Sequence, residues 1–132
     1  MIYLDANIFV YSVLDTGEKG RLSKELLEKI ALKKIAGVTS TLTWDEIVFS
    51  LKKYASFEEV FKQSKQFRTF PNLIFLDATQ RVIEKAEELW QIYSLDPRDA
   101  IHAATAIING VREIASSDSD FDRVKELKRL KI

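Results

Sequence analysis

The sequence predicts an α/β fold, in which a parallel sheet of about five strands carries helices on both faces. Short apolar segments alternate along the chain with longer segments of helical periodicity. This alternation is typical of strand–helix–strand crossovers, which place the strands parallel in one sheet. The length of 132 residues fits one domain. Because the chain contains no internal repeat or linker-like stretch, we expect a single domain over residues 1–132.

The first half of the chain alternates two predicted strands with four predicted helices. Strands are assigned to short apolar runs, and helices to segments whose apolar residues recur at helical spacing. Gly17 and Gly20 predict a loop between the first two helices. In order, the predicted elements are a strand at 2–4, helices at 7–14 and 23–35, a strand at 38–40, and helices beginning at Thr43 and Ser56.

The second half adds three strands and two helices. The strand at residues 73–76 is apolar throughout, so we expect it to be buried on both faces. A long amphipathic helix over 79–93 follows it. Asp96 and Pro97 begin the next helix, which we expect to end at Asn109. The remaining strands are predicted at 113–115 and, at an edge of the sheet, at 130–132.

Composition excludes several kinds of site. The chain has no Cys and one His, which excludes disulfides, thiolate zinc sites and multi-histidine metal sites. It has 20 basic and 20 acidic residues, so no overall charge draws it to nucleic acid or membranes. A metal would be bound through oxygen atoms, which favours Mg²⁺, Mn²⁺ or Ca²⁺. No apolar run is long enough to span a bilayer and no signal peptide is evident, so we expect a cytoplasmic protein.

Four acidic residues are expected at one edge of the sheet. Asp5 directly follows the first strand, and Asp118 follows the fourth after two serines. Glu46 and Asp99 lie in the first turns of helices. In crossovers of this kind, helix N-termini lie over the carboxyl ends of the strands, where ligands bind in open parallel sheets. The sequence therefore predicts an acidic site at that edge.

Each of these acids also has a structural interpretation. Glu46 follows Thr43 at the spacing of a capping box, and Asp99 lies one turn after a cap at Asp96. Acids after strands serve as caps or turn residues too. Asp5 fits this interpretation least well, because a buried acid needs a partner and few basic residues lie near it in the sequence.

Four ionised acids in one place repel one another. A divalent cation is the simplest way to neutralise them, and carboxylates with water form the oxygen shell that Mg²⁺ prefers. Such a site activates water and binds a phosphodiester. The pattern therefore predicts metal-dependent hydrolysis of a phosphate ester.

Four segments of the chain resemble the motifs of PIN-domain ribonucleases, in the same order and across the whole length. The length, with nothing appended, is similar to that of the toxin in a VapBC-type toxin–antitoxin pair. The resemblance implies a five-stranded parallel sheet and an acidic pocket that holds Mg²⁺ or Mn²⁺. The segments are Ile-Tyr-Leu-Asp-Ala-Asn at 2–7, Thr-x-x-Glu at 43–46, Asp-Ala-Ile-His-Ala-Ala-Thr-Ala at 99–106 and Ser-Ser-Asp-Ser-Asp-Phe at 116–121.

The resemblance also assigns roles to individual residues. Asp120 matches a further acid that many members carry, and Asn7 and Ser116 match polar residues that support the acids. Asp122 matches no family position. By position, the family's four acids, which would act as catalytic residues and metal ligands, are Asp5, Glu46, Asp99 and Asp118. Three of them would ligate the metal directly, while the second would complete its shell or orient the attacking water.

Other conspicuous side chains receive separate interpretations. His102, one turn after Asp99, is expected to pack within its helix. Trp44 and Trp90 are expected in the core, and Arg98 is expected to bind RNA because it adjoins Asp99. An apolar stripe at near-helical spacing is expected in the core, with part of it left for an interface; it comprises Phe57, Phe61, Phe67 and Phe70.

The function predicted from these features is a Mg²⁺- or Mn²⁺-dependent endoribonuclease acting as a toxin. The resemblance implies a homodimer and an antitoxin whose tail covers the active-site groove. Three alternatives remain open: a PIN-type RNA-processing or quality-control nuclease, a non-catalytic RNA-binding module, and a phosphohydrolase of small substrates. A neighbouring antitoxin gene, metal-dependent RNA cleavage and activity on a phosphomonoester distinguish them.

Overall fold

The computed structural model describes residues 1–132 and contains five strands, six α-helices and one short 3₁₀-helix. None of the helices has the length and apolar character needed to cross a membrane. In chain order the elements are β1 (Ile2–Leu4), α1 (Ala6–Leu14), α2 (Glu18–Ala31), β2 (Gly37–Ser40), α3 (Thr43–Leu51), α4 (Phe57–Arg68), β3 (Leu73–Leu76), α5 (Gln80–Tyr93), α6 (Pro97–Ile108), β4 (Glu113–Ser116), the 3₁₀-helix (Ser119–Arg123) and β5 (Lys128–Lys131).

The five strands form one parallel sheet in the order β3-β2-β1-β4-β5. Tyr3 of β1 lies opposite Val38 of β2 and Ile114 of β4. The chain runs outward from β1 on one side and then returns to place β4 on the other. Ligands of open α/β sheets bind at this type of switch point, beyond the carboxyl ends of the two central strands. The predicted fold class is confirmed.

Alternation along β1 separates two buried layers. Ile2 and Leu4 belong to a cluster with apolar residues of α1 to α4, and Tyr3 belongs to a second cluster with apolar residues of α5 and α6. Successive side chains of a strand point to opposite faces, so three residues supply both layers. All three are at most 5% exposed, so the central strand is buried on both faces immediately before Asp5.

The prediction that the strand at residues 73–76 is buried on both faces is wrong. β3 lies at the edge of the sheet and pairs only with β2. Ile74 is 47% exposed, while Leu73 is buried. An apolar run predicts a strand, but its burial depends on the strand order. The predicted edge position of the fifth strand is confirmed for β5.

The predicted loop at Gly17 and Gly20 is partly wrong, because α2 begins at Glu18 and includes Gly20. A Cβ atom on Gly20 would lie 1.8 Å from the carbonyl oxygen of Asp15. Glycine therefore allows α2 to pass close to the end of α1. The same helix ends at Ala31, earlier than expected.

The aromatic residues divide differently from the prediction. Trp44 and Trp90 are 43% and 54% exposed, so their assignment to the core is wrong. Both lie on amphipathic helices whose opposite faces are buried, and helical spacing alone did not fix which side faces the sheet. The stripe of phenylalanines splits, with Phe67 in the core and Phe57 and Phe61 82% and 52% exposed.

We expect Gly20→Ala to destabilise the protein by about 2–3 kcal/mol, because the added methyl group collides with backbone atoms that cannot move independently. The control is Gly17→Ala, whose Cβ would meet only a side-chain oxygen of Asp15, at 3.1 Å. Urea unfolding of both variants measures the difference. Equal losses of stability would contradict the close-approach interpretation.

Candidate active site

Asp5, at the end of β1, is an acid held almost completely out of water. It is 5% exposed. Its Oδ1 accepts a 2.7 Å hydrogen bond from the backbone N–H of Ala6, which caps α1. Its Oδ2 accepts from the Ser116 hydroxyl at 2.6 Å and the Asn7 side-chain amide at 3.0 Å. Asp5 is therefore both a helix cap and a fixed carboxylate at the switch point.

Ser116 and Asn7 connect the ends of β1 and β4. Besides donating to Asp5, the Ser116 hydroxyl accepts from the backbone N–H of Asp118 at 3.0 Å. The Asn7 amide also donates to Ser117 Oγ at 3.1 Å. The side-chain oxygen of Asn7 is buried and has no hydrogen-bond partner. The two residues predicted to support the acids thus contact Asp5 directly.

The structure contradicts the capping-box interpretation of Thr43 and Glu46. The hydroxyl of Thr43 forms a 2.8 Å hydrogen bond with Thr39 of β2, and α3 has no side-chain cap. The Glu46 carboxylate instead lies 2.8 Å from Nε2 of His102. Glu46 therefore points toward α6 and Asp5, away from the start of its own helix.

His102 lies inside the site as well as inside its helix. It is fully buried, as expected for a packed residue. Its Nε2 is 3.8 Å from Asp5 Oδ1, and its Nδ1 is hydrogen-bonded to the hydroxyl of Tyr3. The packing interpretation explains the burial of His102 but missed these polar contacts.

A second group of acids lies beside the first. One carboxylate oxygen from each of Asp99, Asp118 and Asp120 lies within 4.8 Å of the others. Asp118 caps the 3₁₀-helix by accepting from the backbone N–H of Asp120 at 2.9 Å. Asp120 is also paired with Arg123 at 2.7 Å. The predicted acids from four separate parts of the chain are therefore brought together.

These acids line one open pocket of about 590 Å³. Arg98 and Lys53 are the basic residues in its lining. Arg98 is half exposed and lies 3.6 Å from Asp45, outside the acid cluster. The acids of the lining outnumber these bases by six to two; they are Asp5, Glu46, Asp96, Asp99, Asp118 and Asp120. The pocket therefore has an excess of negative charge that its own basic residues do not neutralise.

Burial and mutual repulsion change the proton affinities of the site. Burial raises the pKa of Asp99 to about 8, together with the charges of Asp5 and Asp118. Burial also raises the pKa of Asp5, although His102 and the hydrogen bond from Ser116 oppose the rise. For His102, burial lowers the pKa, but hydrogen bonding to Glu46 and nearby negative charge give a net increase. Asp5 and Asp99 therefore retain protons more strongly than free carboxyl groups.

Asp122, which matched no family position, lies outside the pocket. Both of its oxygens accept hydrogen bonds from Arg129, at 2.8 and 2.9 Å. These bonds hold the pKa of Asp122 below its ordinary value. Because Arg129 also donates to the Ser116 carbonyl at 3.1 Å, the pair connects β5 to β4.

Sequence reasoning missed several residues of the pocket, including Tyr11, Phe49 and Lys53. Phe49 is three residues after Glu46, so the shared helical face could have indicated it. His102 has the same spacing from Asp99, so the shared helical face could also have indicated that His102 lies near the site. Lys53 is seven residues after Glu46, but it lies just beyond the end of α3, and Tyr11 is four residues after Asn7 on α1. Whether either side chain reaches the pocket depends on how α1 and α3 pack.

The fold and the acidic pocket define a family. A model of the PIN domain matches residues 2–127, so the chain belongs to the PIN domain family. The predicted resemblance and the predicted enzyme class, a nuclease, are confirmed. Across 143 aligned residues the chain is 26% identical to Ribonuclease VapC2 of Methanocaldococcus jannaschii, with 99% of this chain and 93% of that protein covered.

Solved structures share the fold. VapBC2 from Rickettsia felis, crystallised with a DNA fragment from its promoter, superposes with a TM-score of 0.78 at 20% identity, covering 99% of this chain and 98% of that one. VapC20 of Mycobacterium tuberculosis, described as a sarcin-ricin loop cleaving toxin, gives a TM-score of 0.78 at 16% identity, with 95% of each chain covered.

The raised pKa values predict a pH-dependent stability without metal. Asp5 and Asp99 bind protons more tightly in the folded protein than in the unfolded chain, so stability is lost as pH rises through the folded pKa, about 8 for Asp99. His102 contributes with the same sign.

We therefore expect urea unfolding in EDTA to show falling stability between pH 5 and pH 8.5. The fall should be smaller in Asp99→Asn, by about 1–2 kcal/mol after allowance for the solvent that screens this partly exposed group. Asp122→Asn, outside the pocket, is the matched control and should follow the wild type through this range. If the stability of Asp99→Asn fell with pH in parallel with that of the wild type, Asp99 would not belong to the charged cluster.

Proposed function

We propose that this protein is a Mg²⁺-dependent endoribonuclease, with Mn²⁺ as a substitute, and the toxin of a type II toxin–antitoxin module. The observation that carries the proposal is the meeting of Asp5, Glu46, Asp99 and Asp118 in one pocket with an uncompensated negative charge. Membership of the PIN family and the similarity to a protein named as a ribonuclease support RNA as the substrate.

The residues of the pocket fit a divalent cation. They offer carboxylate oxygens in two adjacent groups, and the unpaired buried oxygen of Asn7 adds a further acceptor that a cation or its water can satisfy. We assign metal binding to Asp5, Asp99 and Asp118, with Glu46 and Asp120 completing the set. When bound, the cation would lower the pKa of a coordinated water and neutralise charge that develops on a phosphodiester.

Other residues of the site support the metal ligands or bind the water and the substrate. Ser116 and Asn7 hold the Asp5 carboxylate in one orientation through their hydrogen bonds. We assign Glu46, at the start of α3, the role of orienting the attacking water. We assign Arg98, which lines the pocket, the role of binding an RNA phosphate beside the acids.

Protein partners form the last part of the proposal. The stacked rings of Phe57 and Phe61, with Trp44, leave an apolar surface on α3 and α4 that suits a protein partner. We propose a cognate antitoxin as that partner, supported by the solved VapBC complex of Rickettsia felis. A homodimer is also proposed, as the resemblance to VapC-type toxins implies.

The alternative function is a housekeeping PIN nuclease, which would lack an antitoxin. Mapping RNA ends after induction in cells distinguishes a toxin from a housekeeping nuclease by the number and kind of RNA targets.

We expect Asp5→Asn and Asp99→Asn to lower RNA cleavage at least about 100-fold, because changes to groups that merely support metal ligands already cost 10–100-fold. Wild-type cleavage should stop in EDTA and return with Mg²⁺ or Mn²⁺. A gel assay on single-stranded RNA measures both effects. Asp122→Asn is the matched control and should retain activity. Cleavage that continues in EDTA would contradict the metal proposal.

We expect Arg98→Ala to weaken RNA binding and to make it less dependent on salt, by about 0.7 in the slope of log K against log salt concentration, as for one lost contact to a single-stranded phosphate. Fluorescence anisotropy in the non-cleaving Asp5→Asn background measures binding. Arg112→Ala is the control, because Arg112 precedes β4 and lies at the opposite edge of the sheet. If Arg98→Ala and Arg112→Ala gave equal slopes of log K against log salt concentration, Arg98 would not be a contact to RNA phosphate.

A further inference from the structure

A chain of buried polar groups joins β1, α6 and α3 beneath the acidic pocket. The Tyr3 hydroxyl is hydrogen-bonded to Nδ1 of His102, and Nε2 of His102 lies 2.8 Å from Oε2 of Glu46. Tyr3 and His102 are fully buried, and the Glu46 side chain is 14% exposed. Of these groups only Glu46 was given a role above, and the roles of the Tyr3 hydroxyl and the His102 imidazole are not yet assigned.

We infer that His102 is a positioning residue that holds the Glu46 carboxylate at the pocket, with Tyr3 fixing the imidazole from the opposite side. The inference rests on the proposed metal site, to which Glu46 belongs. His102 touches neither substrate nor cation in this role and acts only through Glu46.

The direction of the hydrogen bonds supports this role. An ionised carboxylate only accepts hydrogen bonds, so Nε2 carries the hydrogen that faces Glu46. Nδ1, on the opposite side of the ring, is hydrogen-bonded to the hydroxyl of Tyr3. Both ring nitrogens are thus used, and the bond to Tyr3 fixes the orientation of the ring that the bond to Glu46 needs, as outer groups do for histidines in metal sites.

Packing alone does not account for this residue. The other buried positions of α6 carry small side chains, mostly alanine. A leucine would fill the space of the imidazole without the cost of burying two polar nitrogens. His102 is also the one side-chain hydrogen-bond partner of Glu46, whose side chain has several rotatable bonds and no capping role. Removing the imidazole would therefore release Glu46 from its orientation.

The first experiment measures Mn²⁺ affinity by electron paramagnetic resonance, with no RNA present. We expect His102→Leu to bind Mn²⁺ about tenfold more weakly, within the range known for groups that orient metal ligands. His102→Gln, whose amide can replace the Nε2 donor, should restore affinity to within about threefold of the wild type. Thr105→Val is the matched control, because Thr105 is buried one turn further along α6 and its hydroxyl bonds only the Ile101 carbonyl. It should lose stability without losing Mn²⁺ affinity.

A double-variant comparison tests whether His102 acts through Glu46. In a Glu46→Ala background, His102→Leu should cause no further loss of Mn²⁺ affinity, since the residue that His102 holds is absent. A further tenfold loss would overturn the inference. Unchanged affinity in the single His102→Leu variant would overturn it as well, while leaving the metal proposal intact. A wild type that binds no Mn²⁺ would overturn both.

A second measurement does not depend on folding of the leucine variant. His102 is the only histidine of the chain, so its imidazole signals in ¹⁵N-labelled protein need no assignment. We expect a protected, downfield Nε2 proton in the metal-free wild type, and loss of that downfield shift in Glu46→Ala. The same spectrum in both proteins would overturn the inference.

Discussion

Negative charge held out of water at the carboxyl ends of β1 and β4 is the constraint on which the rest of the site depends. Asp5 is nearly inaccessible, and three hydrogen-bond donors surround its carboxylate. One donor belongs to the start of α1, one to its first turn and one to β4. The register of the two central strands must therefore be correct before the acid can be accommodated. The remaining acids add charge that these donors do not offset, and a cation or protons must balance it.

Helix starts contribute to this balance. Asp5 caps α1 and Asp118 caps the 3₁₀-helix, while both line the pocket. The partial positive charge of a helix N-terminus stabilises an acid placed there. Capping and site formation are therefore compatible uses of one carboxylate, and a capping pattern in the sequence does not argue against a functional role. Glu46 differs, because its carboxylate reaches another helix and caps nothing.

Small side chains on α6 connect the packing of the fold with the geometry of the site. The buried face of this helix is formed mostly by alanines, which allow it to lie close to the sheet. Its first turn then brings Asp99 to the pocket, and the next turn brings His102 against Tyr3 of β1. A bulkier face would move both side chains away from the strand end. On the other side of the sheet, exposed Phe57 and Phe61 leave an apolar surface for a partner.

Patterns that act over a few residues determined much of this protein. Apolar periodicity predicted the parallel sheet and its helices, and the cap at Asp96 was predicted from its spacing and is confirmed. The four acids were expected at one edge because parallel strands end together, and the structure brings them into one pocket.

Only the tertiary structure decided which distant residues meet. Glu46 and His102 are 56 residues apart, and Tyr3 and His102 are 99 apart, so no local pattern indicates their contacts. The exposure of Trp44 and the close approach at Gly20 depend in the same way on how each helix is rotated and placed. Rotation and strand order are set by packing over the whole chain, because the favourable orientation of one element exists only when its neighbours are in place.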